Sequence, residues 1–206
     1  MLPEGHTRYT AVAIVLHWVM ALGIAALATM GLVMVHGKLD PLRQFQLYQL
    51  HKSIGITILL TVVFRLGWRL AFRPPPLPGS MPPAERAAAA GSHLFLYALL
   101  FALPFTGWAL VSSSVFNIPT VLYGAIPWPD LPVFSTLHDK APVEAVLKIV
   151  HAYGAYTLIA LVAIHTSAAL RHHFIIKDDV LRRMLPVLPR RPKPSDESAR
   201  KEVLTS

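Results

Sequence analysis

Apolar residues in this chain fall into four long blocks, not into strict alternation or narrow stripes. The first is "TAVAIVLHWVMALGIAALATMGLVMV" at 10–35; the others run over about 50–72, 92–113 and 145–170. A bilayer core takes roughly 20 mostly apolar residues in a helix. Helices satisfy their own backbone polar groups in lipid. The pattern therefore predicts an all-α membrane protein, a bundle of four transmembrane helices. The first apolar run is too long for an ordinary cleaved signal and reads as a retained helix.

The segments between blocks differ in kind. "FRPPPLPGSMPPAER" is proline-rich and is expected to be extended. Residues 112–144 read as a semi-ordered cap, with a short helix expected near Val115–Leu122. "IKDDVLRRMLPVLP" is expected to begin as a short interfacial helix, and the polar sequence beyond Pro189 to be disordered. This gives one domain over 1–189 and a tail over 190–206.

Composition agrees. Charged residues make up 15% of the 206-residue chain, against about 25% in ordinary soluble domains. There is no cysteine, which excludes disulfides, thiolate metal sites, iron–sulfur clusters and thioether-linked haem. The net charge of +8 lies beside the apolar blocks, so it reads as membrane topology and not as a nucleic-acid surface. Of the 19 Lys and Arg, only Lys38, Arg43, Lys52, Lys140 and Lys148 fall on one side of the four-span arrangement. The positive-inside rule then places both termini in the cytoplasm.

Two imidazoles interrupt the fourth block, "HAYGAYTLIALVAIH", from His151 to His165. Fourteen residues apart on a helix, they lie within about 40° of one face and about 21 Å apart along the axis. His151 is near the outer end and His165 near the inner end. His17 sits inside the cytoplasmic start of the first span, and His51 at the outer start of the second. Depth therefore pairs His17 with His165 and His51 with His151. A single membrane histidine is usually an interhelical hydrogen-bonding group. Four at two matched depths, with no carboxylate beside them, suit two six-coordinate haem irons better than zinc, which takes three or four clustered ligands. Such iron has no open position, which favours electron transfer over oxygen binding. Packing and proton-relay roles without haem remain the alternative.

His6, His36, His138, His172 and His173 read as solvated or interfacial, and His93 as structural. Arg65 lies fourteen residues after His51, on the same face at the inner depth. It is placed either to pair with a haem propionate or to reach the headgroups with Arg69. Gly23, Gly31, Gly55 and Gly154 offer room for a flat macrocycle or for close helix packing. Trp18, Trp68, Trp108 and Trp128 mark expected interfaces.

Several of these pieces, taken in order, resemble the bacterial cytochrome b561 family: "VLHWVMA", "LHKSIGI", "FRLGWR", the two-histidine fourth span, "RPPPLP", "FTGW" and "HHFIIKDDVLRRMLP". The resemblance covers roughly residues 7–186. It implies a four-helix bundle in the bacterial inner membrane, with two haem b groups stacked across the bilayer and His17, His51, His151 and His165 as axial ligands. It also implies superoxide oxidase activity, with an electron passing from periplasmic superoxide to ubiquinone and no protein partner required. Related cytochrome b subunits, which carry electrons between a partner dehydrogenase or hydrogenase and the quinone pool, supply the alternative function. On this reading Arg43, Lys52, Lys140 and Lys148 are placed to steer anions, and Lys52 to donate to a quinone oxygen or a haem propionate.

Overall fold

The computed structural model describes residues 8–77 and 81–185. The expected tail at 190–206, and His6, lie outside the described residues. Four long helices dominate: α1 (Ala11–His36), α2 (Pro41–Ala71), α3 (Pro83–Ser112) and, after the cap elements, α5 (Ala141–Arg171). They are 26, 31, 30 and 31 residues long, each long and apolar enough to cross a membrane. Most of their large apolar side chains face outward, Leu22, Leu60, Leu94 and Ile164 among them. In water such exposure would be costly; in a bilayer the surrounding solvent is itself apolar.

Three helices begin earlier than the apolar blocks, α2 at Pro41, α3 at Pro83 and α5 at Ala141. Hydropathy marks the stretch of helix suited to lipid, whereas capping residues mark where the helix itself begins. Asp40 caps α2 by accepting from the Arg43 backbone N–H at 3.1 Å, with Pro41 at the first position. At α1, Thr10 Oγ1 accepts from the Ala13 N–H at 3.3 Å and from Trp68 Nε1 at 2.9 Å. One hydroxyl thus caps one helix and fastens the end of another.

The segment between α3 and α5 corrects an expectation. Val115–Leu122 is not helical: Thr120–Leu122 is strand β1, paired antiparallel with β2 (Ile126–Trp128) in a small hairpin. The turn reverses through Tyr123 (φ 52°) and Gly124 (φ 71°), and Gly adopts that left-handed conformation freely. β-Branched Thr120 and Val121 favour the strand. The short helix here is α4 (Pro132–Ser135) instead. Two buried serines fasten the cap to the bundle. Ser53 Oγ donates to Gln49 O and accepts from Tyr123 N; Ser112 Oγ donates to Trp108 O and accepts from Leu131 N.

After α5 the chain widens into a π-helical turn over His172–Ile176, which ends at Lys177 in the left-handed region, and then makes a single, tighter 3-10 turn at Arg182–Met184. His172, expected to be solvated or interfacial, is instead buried, with Nδ1 at 2.6 Å from Asp178 Oδ2.

Helix neighbours form an open series: α1 packs on α2, α2 on α3 and α3 on α5. α5 does not pack closely on α1 or α2. A central apolar layer of Met20, Ile58, Val62, Leu100, Leu103 and Leu158 joins the four at mid-depth. Gly154 permits the α3–α5 approach, since a Cβ there would lie 2.8 Å from Leu103 Cδ2.

Candidate functional site

The four span histidines meet in two pairs, and both pairs bridge the gap between α5 and its loosely packed neighbours. His17 of α1 faces His165 of α5 with ring centres 6.4 Å apart. His51 of α2 faces His151 of α5 with ring centres 6.3 Å apart. On α2 and α5 the apolar layer falls midway: Ile58 is seven residues from His51, and Leu158 is seven from both His151 and His165.

The outer pair is oriented by α3. Pro104 lies inside this helix and has no N–H to donate. Two residues on, Thr106 spends its single hydroxyl proton on Leu103 O at 2.8 Å. Its oxygen is then an acceptor for the His151 Nδ1–H, at 3.1 Å. That bond fixes the tautomer and leaves Nε2 with a free lone pair. Gly107 lies against the same ring; a Cβ there would come 3.0 Å from His151 Cε1. Across the pair, Gly31 is looser, with its notional Cβ 3.9 Å from His51 Cε1. His51 Nδ1 is buried without a partner among the described residues.

The inner pair has different company. The His93 ring packs edge-on against His165, with centres 5.4 Å apart. Arg65 turns inward: Nε donates to Tyr97 OH at 3.2 Å and Nη1 to Ala13 O at 3.0 Å. Its guanidinium acts electrostatically on both His17 and His93, and it also lines a cleft shared with Arg69. Among the described residues no group of three or more His, Cys, Asp or Glu converges as a metal-ion site.

Lys52 is brought to the cap: its Nζ donates to Pro119 O at 3.4 Å, and Asp130 acts on it electrostatically. Arg43 is paired with Asp40 at 3.2 Å, and Lys140 donates to Asn117 Oδ1 at 2.5 Å. The outer basic residues are therefore partly committed locally.

Sequence comparison bears directly on this site. The sequence model described as prokaryotic cytochrome b561 matches residues 8–187. The chain belongs to that family. It is 36% identical to "Cytochrome b561 homolog 2" of Escherichia coli (strain K12), over 86% of this chain and 91% of the relative. It is 27% identical to "Cytochrome b561 homolog 1" of the same organism, over 87% and 97%. It is 30% identical to "Probable superoxide oxidase CybB" of Yersinia pestis, over 88% and 97%. The protein is thus a prokaryotic membrane cytochrome b that works in electron transfer, and its family implies haem b.

The residues present fit such a group. A metal–imidazole bond is about 2 Å, and the bonding nitrogen stands roughly 1 Å from its ring centre, so two rings on opposite sides of one iron have centres about 6 Å apart. Both pairs match that spacing, whereas the His93–His165 edge contact is too close for it. The unpartnered nitrogen of His51 is a buried polar atom that another group must satisfy. Thr106 and Gly107 stood in the sequence only as part of "FTGW", with no role assigned to either, and the packing of His93 against His165 was not foreseen. A Thr-Gly pair two residues after a proline in an apolar helix was the available signal.

Proposed function

We propose that His17 with His165, and His51 with His151, would hold two haem b groups, and that the protein oxidises superoxide and reduces ubiquinone. The observation that carries this reading is the pair of histidine–histidine spacings, 6.4 and 6.3 Å, at two depths across one gap. When bound, the two haems would supply one-electron chemistry.

The chain's residues do the rest. Thr106 presents the His151 lone pair, and Gly107 leaves the ring its space. The layer from Met20 to Leu158 excludes water between the two levels and spaces them. Arg65 holds a positive charge at the inner level, suited to a propionate carboxylate. Lys52 keeps two N–H donors beyond its bond to Pro119 and faces anions or a quinone oxygen at the outer rim. Lys140 and Lys148 add to the attraction for a small anion there. Two superoxide anions each give up one electron and leave as dioxygen; ubiquinone takes both electrons and two protons to become the quinol.

The superoxide substrate is supported by the name of the Yersinia pestis relative and by the absence of any need for an open iron position. The placement of both termini in the cytoplasm follows from the Lys and Arg distribution. The test is stopped-flow decay of superoxide by the purified protein with and without ubiquinone. Accelerated, quinone-dependent decay by the protein alone is expected. Electron delivery to quinone only in the presence of a dehydrogenase or hydrogenase partner would replace this function with that of a cytochrome b subunit.

A further inference from the structure

At the arginine-rich end of the bundle, a cleft of about 770 Å³ opens between the start of α1, the end of α2 and Tyr97 of α3. Four arginines line it: Arg8, Arg65, Arg69 and Arg73. Trp68 and Tyr97 supply aromatic walls. No carboxylate and no imidazole is among its described lining residues.

The arginines are held in place without being neutralised. Arg8 donates to Leu185 O at 2.8 Å. Arg65 donates to Tyr97 OH and Ala13 O. Arg69 lies over the Tyr97 ring, 5.6 Å from its centre. Elsewhere Arg43 and Arg171 each meet a carboxylate at 3.2 Å; among the described residues none of these four does. A guanidinium has five N–H donors, so most of the donors here are unspent. Four like charges around one cleft repel one another unless an anion joins them.

We propose that this cleft binds the phosphate of an acidic phospholipid from the adjoining leaflet, with Arg8, Arg69 and Arg73 as its principal ligands. Guanidinium forks match phosphate oxygens, and basic pockets at the ends of membrane helices are suited to anionic headgroups. The apolar Leu70 and Phe72 share the lining and are largely exposed on the bundle surface, where acyl chains would run. A quinone suits the cleft less well: its head is uncharged, and its reduction consumes protons that no carboxyl or imidazole of the described lining supplies. Free phosphate offers the same oxygens but leaves the apolar walls unused. The inference does not depend on the superoxide reading.

The test uses the full chain in detergent, titrated with phosphatidylglycerol or phosphatidylcholine and read by native mass spectrometry. One phosphatidylglycerol per chain is expected to survive gas-phase activation, at least about tenfold in preference to phosphatidylcholine. Inorganic phosphate at millimolar concentration is expected not to displace it. The R69Q/R73Q double variant should lower retention about 10–30-fold, at roughly a factor of several per charge. R86Q, at the same end but outside the lining, should leave it unchanged. Equal retention of both lipids, displacement by inorganic phosphate, or full retention in R69Q/R73Q would each overturn the proposal. Should R69Q/R73Q fail to fold, the wild-type competition between the two lipids decides.

Discussion

The outer and inner histidine levels share a spacing and differ in almost everything around it. At the outer level the histidine of α5 is aimed by a third helix, through Thr106, and backed by a glycine. A hairpin pinned by Ser53 and Ser112 closes that end. At the inner level a third imidazole leans on the pair and a guanidinium supplies charge. The same ring-to-ring spacing is thus reached with an orienting hydrogen bond on one side and in a charged, ring-packed setting on the other. The outer level holds its ring by hydrogen bond and close packing; the inner one sets a positive charge beside its rings.

The sharpest break between the levels should come from the four proposed ligands. His51→Ala or His151→Ala is expected to remove one of about two haems and leave the inner one, and His17→Ala or His165→Ala to do the reverse. Haem quantitation with redox difference spectra checks this; loss of the outer signal in His17→Ala would break the pairing. Next in size is Gly107→Val. Its added atoms meet the His151 ring at 3.0 Å or less, so most outer haem should be lost, whereas Gly31→Ala, with 3.9 Å to spare, should keep both. Equal haem content in the two variants would mean that the outer ring is not sterically held.

Thr106→Val keeps the shape and deletes the acceptor. Outer haem binding should weaken about 10–100-fold, the usual cost of losing a partner behind a ligand. Haem-transfer titration to apomyoglobin measures it, and an unchanged affinity would show that the tautomer is fixed by other means. The smallest effect is expected for His93→Leu, which should retain two haems and shift only the inner absorbance or potential. Loss of the inner haem there would make His93 the ligand and His17 the neighbour.

Much of this was legible along the chain because membrane proteins are constrained in one dimension first. Lipid demands about 20 apolar residues per crossing, so the four helices appear directly as blocks. A fixed rise per residue converts the His151–His165 spacing into depth, and depth alone paired His17 with His165 and His51 with His151. The helix ends were read less well, because polar first turns such as "PLRQ" and "PAER" carry no hydropathy signal. The hairpin was read as a helix: a three-residue strand has too few positions for a period to show, and its pairing with Ile126–Trp128 is fixed by the turn at Tyr123–Gly124.

The sequence by itself determined the four crossings, the two histidine depths and the excess of arginine at one end, since each follows from composition and spacing within a single helix. Only the tertiary structure decided which helices stay apart, which hydroxyl aims His151, that His93 joins the inner pair, and that Arg8, Arg65, Arg69 and Arg73 share one cleft. Those relations link residues far apart in the chain, and helix periodicity does not fix the azimuth of one helix about another. Packing of Gly154 on Leu103, and of the mid-depth apolar layer, sets it.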